Sequence, residues 1–190
     1  MKEFEKQICI LAHIYDFLIG GYFASHNQLM FYDKKIYNLY LKNNKDKLNN
    51  LYNNFRKEIP TNIVEVIEKS AGIRYFLCDG CHDAQIKGIK NIEKDGLTDY
   101  LIINLDTTGM LGCLNLKDTN CKIIIETTKR EENQIIIDDF NKYQRLFWIS
   151  NDVVFGNDCI YFELALEAFT SEKYERLNYK FRIYNIFIEQ

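Results

Sequence analysis

The stretch Cys159–Ala168, CIYFELALEA, decides how this chain is read. Ile160, Phe162, Leu164, Leu166 and Ala168 fall on one side of an extended segment, and Tyr161, Glu163, Ala165 and Glu167 fall on the other. A period of two marks a strand with one face on a core. The alternation recurs in Leu101/Ile103/Leu105, in Cys121/Ile123/Ile125/Thr127, in QRLFWIS around Trp148 and in Leu177/Tyr179/Phe181/Ile183. Asp95-Gly96 is a hairpin-turn signal between Ile92 and Leu101, and Gly156-Asn157 marks a turn before Ile160. Outside residues 134–145 no segment between these strands is long enough for a helix. Parallel pairing needs such crossovers, so the sheet is expected to be antiparallel and meander-like.

Upstream the period is helical. Ile8, Leu11, Ala12, Tyr15, Leu18, Ile19 and Tyr22 recur at steps of three and four, and Gly20-Gly21 weakens the end of that helix. Ser25 and Gln28 fit a capping box, and Tyr37, Tyr40, Leu41, Leu48, Leu51, Tyr52 and Phe55 continue one helical face up to Pro60. Asn62 with Glu65 fits the cap of a third helix, for which Gly72 is the stop. The expected class is α+β, with about three N-terminal helices packed on a C-terminal, mainly antiparallel β-sheet. The expected organisation is a single compact unit, 1–190, with a helical part to residue 75 and a sheet part from 76.

A hydrophobic content of 47% is that of a globular chain, and its 190 residues suffice for one sizeable core. Lysine outnumbers arginine 18 to 6 and isoleucine and asparagine abound, a composition associated with AT-rich bacterial genomes. The formal charge is −3, divided as +3 over residues 1–75 and −6 over 76–190. Neither part carries a basic run able to track phosphates, so nucleic acid is not expected as a partner. The apolar segment ICILAHIYDFLIGGYFA (8–24) holds His13 and Asp16 at its middle and is short for a membrane span. MKEFEK sets two acids beside two lysines, unlike the positive start of a secretion signal. A cytoplasmic protein that does not engage a membrane is expected, with its six cysteines acting mostly as small buried hydrophobes.

The segment CDGCHD, Cys78 to Asp83, offers four chemistries. C-x-x-C-H is the haem-attachment pattern, but that chemistry belongs to exported proteins. A redox dithiol wants its first cysteine at a helix start after a strand, and here a strand is expected to follow. Zinc would need a second ligand pair, and Cys113, Cys121 and Cys159 stand apart. A His-Asp phosphohydrolase would need further helical ligands; His13 and His26 lie upstream, and no downstream helix clearly offers the last aspartate. There is no phosphate loop, no G-x-S-x-G and no H-E-x-x-H. Glu163 and Glu167 read as a solvated sheet face. Trp148 beside Phe147 could anchor a partner, with core packing the favoured reading.

HDAQIKGIKNIEKDGLTDYLIINLD (82–106) resembles a motif of poorly characterised bacterial domains: H-D-A/S-x-I, a strand, a turn, then an apolar strand ending in Asp. Similar proteins have helices before the motif and strands after it, here LFWIS, YFELALEA and LNYKFRIYNIFIE. Some resemble immunity proteins that neutralise the toxins of competing bacteria. The resemblance implies no catalytic residues. The Lys87-Gly88 step departs from the pattern and reads as a bulge. In this scheme Asp83 closes the turn into the strand and His82 bonds across to a neighbouring strand.

No catalytic, cofactor-binding or metal-ligating set is therefore expected, and no cofactor. His82, Asp83 and Trp148 are the positions singled out, in structural roles. The expected function is a non-enzymatic protein-binding module of immunity or antitoxin type, its acidic sheet half facing a basic, toxin-like partner. The alternative is a metal-dependent hydrolase, or a redox or zinc protein, using Cys78 to Asp83.

Overall fold

The computed structural model describes residues 3–21, 29–78, 81, 83–108, 120–128, 130–143, 145–156, 158–170 and 173–189. The chain divides into a helical unit ending at Asp79 and a barrel unit beginning at Gly80.

The helical unit contains α1 (Glu3–Leu18), α2 (Leu29–Tyr32), α3 (Lys34–Leu41), α4 (Lys45–Glu58), α5 (Thr61–Lys69) and α6 (Ala71–Cys78). These are twice as many helices as the periodicity suggested, and each extra break has a local cause. The helix expected from Tyr37 to Phe55 is interrupted where Asn43 takes φ +50°, a left-handed conformation that asparagine tolerates. Asn44 restarts it, its Oδ1 accepting the Lys47 N–H at 3.2 Å. Pro60, with φ −52°, occupies the cap position of α5, which places Asn62 inside the helix and not at its cap. Gly72 is not a stop, being buried within α6. The break falls instead at Ser70, which ends α5 and whose Oγ accepts the Ile73 N–H at 3.1 Å. The expected Ser25/Gln28 cap lies outside the described residues.

α1 packs on α4 and α6 around Leu11, Ile14, Leu48, Ile67 and Ile73, all essentially inaccessible to solvent. The same core holds an ion pair. Asp16 Oδ1 stands 3.4 Å from Arg74 Nε, and both side chains are less than a tenth exposed. The guanidinium also donates to the carbonyls of Ile67 at 2.6 Å and Glu68 at 3.0 Å, in the last turn of α5, where a cation suits the helix dipole. Its fourth neighbour is the Tyr15 ring, 5.2 Å from the guanidinium carbon. Gly21 folds back over this pair, its N–H bonded to the Asp16 carbonyl at 2.7 Å, so that a Cβ there would collide with the Asp16 carboxylate. Because that carboxylate is held by Arg74, Gly21→Ala is expected to destabilise the protein by about 1–3 kcal/mol, the range of overpacking. A thermal melt checks this, and an unchanged midpoint would mean that the carboxylate is free to turn away.

The barrel unit contains β1 (Gln85–Glu93), β2 (Asp99–Asp106), β3 (Asn120–Thr127), α7 (Arg130–Lys142), β4 (Arg145–Phe155), β5 (Ile160–Phe169) and β6 (Tyr174–Glu189). Helices and an antiparallel sheet are both present, as an α+β reading requires. The finer expectation is corrected twice. The sheet closes into a six-stranded barrel in the order β1-β2-β3-β6-β5-β4, and α7 lies among the strands, so the helices are not confined to the N-terminal part. Side chains fill the interior: Leu101, Ile103, Ile123, Ile125, Trp148, Phe162, Leu164, Leu166 and Phe181 are all fully or almost fully buried. The Asp95 turn joins β1 to β2, its Oδ1 accepting the N–H groups of Leu97 and Thr98 at 2.9 and 2.8 Å. The register shifts between Ile86 and Gly88, the bulge read from Lys87-Gly88.

Closure is narrow. β1 meets β4 only at Gln85↔Phe147 and Ile86↔Leu146, and two further backbone bonds extend the seam. Trp148 N–H donates to the Ala84 carbonyl at 2.9 Å, and Asp83 N–H donates to the Trp148 carbonyl at 2.8 Å. Beyond Trp148 the β4 register shifts and its pairing continues with β5 alone.

Candidate interaction surface

α7 is fixed to the rim of the barrel where β1 and β3 end and β2 begins. Asn133, wholly buried, donates from Nδ2 to Thr127 Oγ1 of β3 at 2.8 Å and to Asn91 Oδ1 of β1 at 3.0 Å. Asn91 in turn donates to Asp99 Oδ2 of β2 at 2.9 Å. At the other end of α7, Asp139 accepts the Tyr179 hydroxyl of β6 at 2.9 Å. Just past it the Tyr143 hydroxyl donates to Glu175 at 2.5 Å. Burial, then the bond to Asp139, pushes the Tyr179 phenol well above its ordinary range, while the Tyr143 bond draws the Glu175 carboxyl down. Tyr179 therefore stays a protonated donor at neutral pH, and Glu175 an ionised acceptor. Buried Ile136 completes the inner face of the helix.

The outer face of α7 is then fixed by the helical period: Glu131, Gln134, Ile135, Asp138 and Asn141 are exposed. Ile135 is 57% exposed, and Leu97, at the tip of the β1–β2 hairpin, is 84% exposed. Ile92 of β1 is exposed as well. Residues 93–99 and 130–142 together hold seven acids against three bases. Asp95 stays ionised, its carboxyl lowered chiefly by the Leu97 N–H. Lys94 is engaged by Glu126 and by the Tyr100 ring, 5.2 Å from its ammonium. Exposed aliphatic side chains on segments rich in carboxylates are the composition of a surface that docks a positively charged protein.

Of the three positions singled out in the sequence, Asp83 and Trp148 come together at the barrel seam, and His82 lies outside the described residues. Asp83 takes φ +66°, the left-handed turn that lets its N–H reach the Trp148 carbonyl. Trp148 is fully buried, its Nε1 donating to Asn151 Oδ1 at 3.1 Å and its ring 5.9 Å from that of Phe162. It packs in the core and offers no anchor to a partner. Cys78 and Cys81 are both buried, and burial pushes the Cys121 thiol up to about 11, far from a reactive thiolate at neutral pH. Among the described residues no three His, Cys, Asp or Glu side chains stand close enough to share a metal ion. Nor is any described helix long and apolar enough to cross a membrane.

The α7 and hairpin patch was missed in the sequence. Ile135-Ile136-Ile137 reads as a buried run, and only the helical phase shows that Ile136 points inward and Ile135 outward. Comparison with protein-family models, curated proteins and solved structures gives no match.

Proposed function

We propose that this chain is a non-enzymatic, cytoplasmic protein-binding module of the immunity or antitoxin type, and that its partner is a basic protein docking on the outer face of α7 and the β1–β2 hairpin. The observation that carries this reading is that Ile135 of α7 and Leu97 of the hairpin are both more than half exposed, on two segments that together hold seven acids against three bases. Apolar side chains supply the area that a partner desolvates, and the carboxylates steer a cationic surface toward them. The resemblance of residues 82–106 to immunity-type domains points the same way.

The test is binding to, and neutralisation of, the basic toxin-like product of a neighbouring gene. Ile135→Lys combined with Leu97→Lys places two cations in the patch and is expected to weaken binding roughly a hundredfold or more. Wild-type affinity is expected to fall as salt rises from about 0.05 to 0.5 M, because charges beyond the Debye length are screened. Tight binding indifferent to both the substitutions and the salt would reject this surface. Calorimetry reads both effects, and the exposed positions leave folding intact.

A further inference from the structure

In the helical unit, α3 turns one apolar side inward. Ile36 is buried, and the Tyr40 ring packs at a steep angle on Phe17 of α1, centroids 5.0 Å apart. The helical period then sets Lys34, Lys35, Asn38, Leu41 and the capping Lys42 on the opposite side, and all five are exposed. Just before α3, α2 buries Leu29 and leaves Met30 and Phe31 open. Phe31 is 79% exposed and Leu41 60%. Just after it, α4 begins with exposed Lys45 and Lys47. Residues 29–47 hold five lysines, no arginine and two aspartates, a local charge of +3 in a chain whose formal charge is −3. Asp33 is engaged at the N-cap of α3, its Oδ1 accepting the N–H of Lys35 at 2.8 Å and of Ile36 at 3.1 Å. Among the described residues Lys34, Lys35, Lys42 and Lys47 have no ion-pair partner.

Open Phe, Met and Leu side chains set among lysines suit an anionic surface that also offers an apolar layer. An acidic protein and an anionic lipid bilayer both have that chemistry, and two features favour the bilayer. Protein interfaces are enriched in arginine, whose planar fork matches a carboxylate, and depleted in lysine. A bilayer carries diffuse charge, which a lysine on a flexible stem meets without fixed geometry. The apolar side chains are also spread out: Phe31 precedes Lys34, and Leu41 lies two helical turns beyond it. A protein hot spot gathers its anchors at the centre of the contact, whereas an interfacial helix dips separate side chains into the headgroup layer. The expectation of no membrane contact rested on residues 1–24, and peripheral attachment needs no spanning helix.

We propose that the α2–α3 face of the helical unit attaches the protein to the surface of a membrane rich in anionic lipid, with Met30, Phe31 and Leu41 entering the headgroup layer and Lys34, Lys35 and Lys42 meeting the lipid anions. The lysines supply the preference for anionic lipid and the apolar side chains the hold that salt does not screen. The face shares no residue with the α7 patch, and either can fail alone.

The probe is the full chain mixed with vesicles of phosphatidylcholine, either pure or with about 30% phosphatidylglycerol, and separated by flotation. Binding is expected to the anionic vesicles and not to the neutral ones. Lys34→Gln with Lys35→Gln is expected to weaken it roughly thirtyfold, and Phe31→Ser roughly tenfold. These positions are exposed, so the melting temperature stays where it is. Phe31→Trp adds a second tryptophan to the buried Trp148, and emission is expected to shift to the blue on anionic vesicles. Ile135→Ser, on α7, leaves vesicle binding unchanged. Three results would overturn the proposal: no binding to the anionic vesicles, equal binding to both kinds, or an emission that the anionic vesicles leave unshifted. Binding to soluble polyglutamate without binding to vesicles would give the face to an acidic protein instead. A concentration-dependent dimer in sedimentation, dispersed by Lys34→Gln with Lys35→Gln, would give it to a second copy of the chain.

Discussion

Asp16→Ala is expected to cost about 3 kcal/mol of stability, the lower part of the range for stripping one partner from a buried ion pair. Arg74 cannot lose its charge and cannot reach water, since its side chain is 8% exposed. What remains to solvate it are the Ile67 and Glu68 carbonyls and the face of Tyr15, which is why the upper end of the range is not reached. The argument separates the pair from its parts. Asp16→Leu with Arg74→Met removes both charges and fills similar volume, so the double variant is expected to recover at least half of the single loss. The wild type carries a burden here, because Asp16 Oδ2 is buried without a hydrogen-bond partner. Urea midpoints of the two variants decide the matter. A loss below about 1 kcal/mol for Asp16→Ala would mean that Arg74 finds water by local opening.

Trp148→Ala is expected to cost about 3–5 kcal/mol, the usual price of emptying a large aromatic site in a core. Its ring is fully buried against Phe162, and its backbone makes two of the bonds that close the seam. Trp148→Phe keeps an aromatic ring but removes the donor to Asn151, and about 1 kcal/mol of loss is expected from that bond alone. Trp148 is the only tryptophan, so unfolding is followed by circular dichroism in both variants. If the residue were a partner anchor, the substitutions would leave the urea midpoint where it is and lower affinity instead.

What was legible in the sequence is what leaves a local period. CIYFELALEA became β5 with Phe162, Leu164, Leu166 and Ala168 inward, because alternation is imposed residue by residue along one strand. The β1–β2 hairpin was legible through Asp95-Gly96 and the bulge through Lys87-Gly88. Closure was not legible. The β3–β6 and β1–β4 pairings join residues far apart in the chain, and a closed sheet and an open one share the same alternation. α7 was half legible: residues 134–145 were left open for a helix, and the element runs Arg130–Lys142. Its buried Asn133 looks like surface in a sequence and is understood only beside Thr127 and Asn91. Likewise Asp16 was read as a charge too costly for lipid, whereas its partner stands 58 residues away. The outward turn of Ile135 needed the phase of α7.

The strand order also constrains how the chain is made. β6 follows the other five described strands in chain order, and it closes the barrel by pairing β3 through Lys122–Thr127 and β5 through Ile160–Phe169. Until β6 is made, the backbone that β3 and β5 turn toward it has no partner strand. Translation at ~5–20 residues per second holds the nascent chain in that state for about a second while β6 is added. The residues from Tyr174 onward thus guard two sticky margins at once, and damage to them would be felt first as clumping during synthesis and not as a weakened finished protein.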